Sequence, residues 1–81
     1  MNIHLMPNLD KPQALECALK VANLLHKANC GINSLKPEQA QLGLDFVQMY
    51  ETRDECVRNC DVIVAVGGDG TIIHAAKHAL D

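Results

Sequence analysis

Aromatic side chains are nearly missing from this chain: tryptophan is absent, and Phe46 and Tyr50 stand alone. A core without large rings has to be assembled from Leu, Ile, Val and Ala. A basic stripe is missing too. Seven Lys and Arg face ten Asp and Glu, a formal net charge of −3, so the electrostatic footprint of a nucleic-acid binder is lacking. No apolar run approaches the roughly 20 residues that span a membrane. The opening Met1-Asn2-Ile3-His4-Leu5-Met6-Pro7 puts no charged leader ahead of a long apolar stretch. Repeats, low-complexity tracts and Gly/Ser linkers do not occur, so residues 1–81 are expected to form one small domain. Hydrophobic residues at 48% and charged residues at 21% are the balance of a globular chain. A soluble cytoplasmic protein without nucleic-acid or membrane partners is the expectation.

Four cysteines are present, an even count that would suggest disulfides only in a secreted protein. His26 with Cys30 and Cys56 with Cys60 are each spaced by four, which would put each pair on one helical face. Structural zinc motifs usually hold their cysteines closer together on a turn. Reduced thiols packed in amphipathic helices are the expected state, with no metal ligands assigned.

The chain alternates between two periodicities. Ile3 and Leu5 alternate with polar neighbours and predict a short strand that Pro7 stops. Asp10 with Gln13 reads as a capping box, with Pro12 in the first turn. A helix is then expected to about Asn29, with Leu15, Ala18, Leu19, Ala22 and Leu25 as its buried stripe and Val21, Leu24 and Ala28 widening it. Gly31 is expected to end it in a left-handed conformation. Ile32–Leu35 predicts a second strand, and residues 38–50 fit either a ragged helix or a loop leading into a strand. Thr52 and Glu55 form a second capping pair, opening a short helix through Asn59. Val62-Ile63-Val64-Ala65-Val66 predicts a strand buried on both faces, and Ile72–Leu80 reads as a helical run. This order is that of a parallel α/β sheet with flanking helices.

Between that last strand and the helical run lies Gly67-Gly68-Asp69-Gly70-Thr71. Glycines permit positive φ and let a phosphate approach without striking a Cβ. A following helix would offer unpaired N–H groups and the positive end of its dipole. Asp69 would repel a phosphate unless it had another task, such as holding a metal ion or accepting a proton from a hydroxyl being phosphorylated. Thr71 could cap the helix or donate to a phosphate. Gly and Asp also collect in turns because turns need permissive residues. The position directly after a buried strand favours the phosphate reading.

The pentapeptide resembles the signature shared by NAD kinases, diacylglycerol and sphingosine-type lipid kinases and, more loosely, phosphofructokinases. Its flanks, Cys60-Asp61-Val62-Ile63-Val64-Ala65-Val66 before it and Ile72-Ile73-His74-Ala75-Ala76-Lys77 after it, look like NAD kinase. Lipid kinases usually carry Glu at the position of His74, and phosphofructokinases have a separate upstream glycine loop that this chain lacks.

The resemblance implies an incomplete N-terminal domain with a Rossmann-like or phosphofructokinase-like sheet. It also implies phosphorylation of the adenosine 2′-hydroxyl of NAD to give NADP, with ATP or polyphosphate as donor, a divalent metal (Mg) as helper and a homo-oligomeric assembly. It passes the role of base to Asp69 and nucleotide or phosphate contacts to Gly67, Gly68, Asp69, Gly70 and Thr71. His74, one turn into the expected helix, is a further candidate contact, with a surface or packing role as the competing reading; His78 is expected on a solvated face. The family's second motif, an Asn-Glu/Asp pair gripping NAD, and its β-rich C-terminal domain are expected beyond residue 81, so the 81 residues are expected to be inactive alone. A lipid kinase fragment and a non-catalytic nucleotide-binding module are the alternatives.

Overall fold

A computed structural model describes residues 1–11, 13–67 and 71–75. In chain order they form β1 (Asn2–Pro7), α1 (Ala14–Lys27), β2 (Gly31–Leu35), α2 (Lys36–Leu42), β3 (Val47–Tyr50), α3 (Arg53–Arg58), β4 (Val62–Val66) and β5 (Thr71–Ala75). The strands make one sheet in the order β3-β2-β1-β4-β5. From β3 to β4 every pairing is parallel, with Ile3 opposite Ile32 on one side and Val62 on the other.

The fifth strand departs from the sequence expectation. Residues 71–75 run antiparallel to β4, Thr71 opposite Val66 and Ala75 opposite Val62, where a helix was expected from Ile72. Thr71, Ile72 and Ile73 are three successive β-branched residues, which resist helix and favour extension. Their backbone also pairs an edge of β4 that would otherwise stand open. The remainder of the expected helix, from residue 76, lies outside the described residues.

Strand alternation sorts the core. Ile3, Leu5, Ile32, Val64 and Val66 share one face and are buried there with Ala18 and Ala22 of α1. The face that α1 lays on the sheet is a row of alanines, Ala14, Ala18 and Ala22, each wholly buried. Small side chains let the helix backbone approach the strands closely. The expected stripe is built around this row: Ala18 and Ala22 belong to both, and Leu15, Leu19, Val21 and Leu25 pack beside them, half-buried. Leu24 is 67% exposed, because two residues past Ala22 a helix has turned about 200°. Ala28 is exposed as well.

Both ends of α1 also differ from expectation. Asp10 lies in a turn ahead of the helix, in which the Lys11 amide donates to the Asn8 carbonyl at 3.1 Å. Gln13 holds the N-cap position without a side-chain cap. At the other end Asn29, with φ of 63°, takes the left-handed residue expected of Gly31. Gly31 instead opens β2, where a Cβ would collide with the Asn2 side chain.

The region 38–50 realises both readings in turn, α2 closing on Gly43 with φ of 62° before β3 begins. Thr52 caps α3 as expected, its Oγ1 accepting from the Glu55 amide at 3.2 Å. Strand β4 is covered unequally: Val64 and Val66 are buried, whereas Val62, Ile63 and Ala65 are only half-buried. Among the described residues no helix is long and apolar enough to cross a membrane.

Candidate functional site

Strand β1 sits in the middle of the sheet, and the chain leaves it toward β2 but later returns on its other flank as β4. The connections therefore run away from each other at the carboxyl ends of β1 and β4. Such a switch point opens a crevice between two loops, and parallel α/β sheets bind ligands there.

The two banks of the crevice are fixed to one another. Beyond the last ladder pair, Pro7 opposite Val66, the Asn8 amide donates to the Val66 carbonyl at 2.8 Å. Both loops thus start from one stitched point. Asn8, Asp10 and Lys11 are exposed on the β1 bank. Gly67, half-buried, begins the β4 bank, and exposed Thr71 re-enters the sheet opposite Val66. Gly68, Asp69 and Gly70 lie outside the described residues, but the positions on either side of them are at the crevice.

His74 stands differently from its expected place. Its backbone is in β5 opposite Ile63, not one turn into a helix. Running antiparallel to β4, β5 carries it back along the sheet, about 10 Å from Thr71 at the usual rise per residue. The β1 bank was not read from the sequence as part of the site. An Asn and a Lys in the turn that follows the first strand are its only signal, and that signal gains meaning once β1 is known to neighbour β4.

A second polar cluster lies on the sheet face opposite the Ile3–Leu5 core. His4 is wholly buried in the middle of β1. Arg53 Nη1 donates to its Nε2 at 2.8 Å. A guanidinium is only ever a donor, so Nε2 accepts and His4 is the neutral Nδ1–H tautomer. That Nδ1–H donates to Asn33 Oδ1 at 2.9 Å, and Asn33 Nδ2 donates to the Cys56 carbonyl at 3.2 Å. Arg53 Nη2 also meets Glu38 Oε2 at 3.1 Å. One side chain from β1 thus joins β2, α2 and α3. Burial holds the His4 imidazole below the usual histidine range, with the nearby Arg53 charge acting the same way against the raising effect of Asn33 and Glu38.

The cysteines and His26 serve packing. Burial pushes the Cys56 thiol up to about 11 and raises Cys60 as well, so neither is an activated nucleophile. All four cysteines are free. The His26 ring stacks on Phe46 with centroids 4.0 Å apart. Among the described residues, no three His, Cys, Asp or Glu side chains gather as a metal-binding group.

Comparison with known proteins bears on the chain as a whole. The family model described as the ATP-NAD kinase N-terminal domain matches residues 3–81. The chain is similar to NAD kinase 2 of Streptomyces avermitilis, 30% identical over 79 residues, covering 95% of this chain and 26% of that protein. It is 38% identical over 72 residues to the NAD kinase of Heliobacterium modesticaldum, covering 89% of this chain and 24% of the other. With the NAD kinase of Chlorobium chlorochromatii it shares 30% identity over 80 residues, 99% of this chain and 27% of that one. The chain therefore spans about a quarter of the length of the curated relatives it matches. No solved structure matches it.

Proposed function

The chain belongs to the ATP-NAD kinase N-terminal domain family, and on that premise we propose that it supplies the phosphate-handling part of an NAD kinase. The observation that carries this reading is the position of the Gly67–Thr71 loop. In sequence it follows β4, the strand that flanks the switch point, where parallel α/β sheets take their ligands.

In the proposed reaction the adenosine 2′-hydroxyl of NAD attacks the terminal phosphorus of ATP or polyphosphate. The hydroxyl proton passes to the Asp69 carboxylate, the new O–P bond forms, and the shortened donor leaves with the electrons of the broken P–O bond. Gly67, Gly68 and Gly70 let the phosphates approach the backbone, and the Thr71 hydroxyl donates to a phosphate oxygen. Lys11, exposed on the opposite bank, supplies positive charge to the same phosphates. The described residues offer the crevice one carboxylate, Asp10, and Asp69 would be a second. A magnesium ion held mainly by phosphates and water asks for no more than one or two. When bound, that ion neutralises charge on the transferring group. His74 remains a candidate contact of lower weight, given its place along β5. Cytoplasmic location and homo-oligomeric assembly belong to the same proposal.

The test is NADP formation from NAD, ATP and Mg²⁺ by the complete reading frame that contains these residues. Wild type is expected to turn over, and Asp69→Asn to lose about 10²-fold or more, the usual worth of a positioned base. Turnover within a few-fold of wild type in that variant would remove the base from Asp69. A folded wild type that makes no NADP would overturn the kinase reading. Residues 1–81 alone are expected to make none, since the relatives are about four times longer.

A further inference from the structure

The cluster around His4 has no part in the proposed chemistry, yet it is built with more care than packing requires. A buried position in the middle of a parallel sheet ordinarily takes Val, Ile or Leu. Here His4 and Asn33 occupy matched positions on neighbouring strands, and both are buried. Each ring nitrogen has a partner of fixed polarity: Nδ1–H donates to Asn33 at 2.9 Å, and Nε2 accepts from Arg53 at 2.8 Å. We infer that His4 is an acid-released latch, whose neutral ring fastens α3 and α2 to the sheet through Arg53 and whose protonation lets them go.

The chemistry leaves no other outcome for the proton. A second proton can enter only at Nε2, where it would face the Arg53 N–H at hydrogen-bond distance, donor against donor and cation against cation. Asn33 cannot compensate, since its Oδ1 is already engaged at Nδ1 and its amide donates to the Cys56 carbonyl. The other groups facing the ring are Glu38 from α2, which Arg53 already engages at 3.1 Å, the protonated thiol of Cys56 from α3, and Cys60, whose thiol meets the His4 backbone. From β4 the neighbour is Ile63, which offers no acceptor. Arg53 has an exit, being half-exposed already.

The sign follows from the depressed imidazole. The unfolded chain takes up a proton near the ordinary value of 6.5, and the folded one only below it. The latch therefore contributes fully above about pH 6.5, weakens as pH falls from there, and its loss levels off below the folded value. Between the two values, each pH unit changes the closed-to-open ratio by up to about tenfold.

Hydrogen exchange of the complete protein, corrected for intrinsic pH dependence, reads the latch directly at pH 7 and pH 5. Amides of α3 are expected to lose protection between pH 7 and pH 5 while those of α1 hold. His4→Gln, which keeps polar groups at the site but cannot titrate, is expected to abolish the difference. If His4→Gln does not fold, His4→Met serves, since that side chain cannot titrate either and suits a buried strand position, and the pH step should vanish. Equal α3 protection at both pH values would overturn the latch. So would a parallel loss in α1, or the same step surviving in the variant that folds.

Discussion

On the β2–β3 side of the central strand a buried polar cluster is paired: His4 by Asn33 and Arg53, Asn33 by the Cys56 carbonyl, Arg53 by Glu38, while the buried Ser34 hydroxyl on the other face has no partner among the described residues. On the β4 side polar groups are left open. Asn8, Asp10, Lys11 and Thr71 are all exposed around the carboxyl end of the same strand. The two regions are fed by the same six residues of β1, yet one spends its polarity on joining elements and the other presents it to a ligand. Satisfied polar groups fix a geometry, whereas unsatisfied groups at a switch point are available for binding. A substitution on the first side should therefore be read in stability, and one on the second in turnover.

The largest effect that would sharpen this contrast is chemical. Asp69→Asn should lower NADP formation about 10²-fold or more with the thermal midpoint little changed; a variant that unfolds instead would break the contrast. Next is the alanine row under α1. Ala18→Leu places three more carbons where the helix backbone touches the sheet and should destabilise by about 1–3 kcal/mol, measured by urea denaturation. Thr52→Ala removes the α3 cap and should cost about 1 kcal/mol in the same assay, without altering kcat. The smallest effect is expected from His74→Ala, with activity within about threefold of wild type, as suits a residue about 10 Å along β5 from the crevice. A tenfold loss there would place His74 at the ligand.

How far the sequence disclosed this arrangement follows from the range of the interactions involved. The Thr52–Glu55 cap and the apolar run Val62–Val66 depend on neighbours within a few residues, and both form as expected. The parallel order of β1 to β4 also follows from alternating elements. The stripe of α1 was legible from its period, since Ala18 and Ala22 are buried with Leu15, Leu19 and Leu25 beside them. The expected widening to Leu24 and Ala28 failed, because how wide a face the sheet covers depends on packing between distant residues. Asn29 supplanted Gly31 because the helix ends earlier and Gly31 pairs with Asn2 as the first residue of β2, a contact between residues far apart in sequence. The same applies to His4 and Asn33, 29 residues apart and joined only by strand register. At the crevice, the glycine loop was legible as a motif, whereas Asn8 and Lys11 acquired a role only when β1 and β4 proved to be neighbours.

The central claim is that ligand binds where β1 and β4 diverge. Hydrogen exchange of the complete protein with and without saturating ATP, Mg²⁺ and NAD tests it most directly. Protection is expected in residues 8–11 and 67–71, with α3 and β2 unchanged. Protection confined to α3 and β2, with both crevice loops unaffected, would contradict the account.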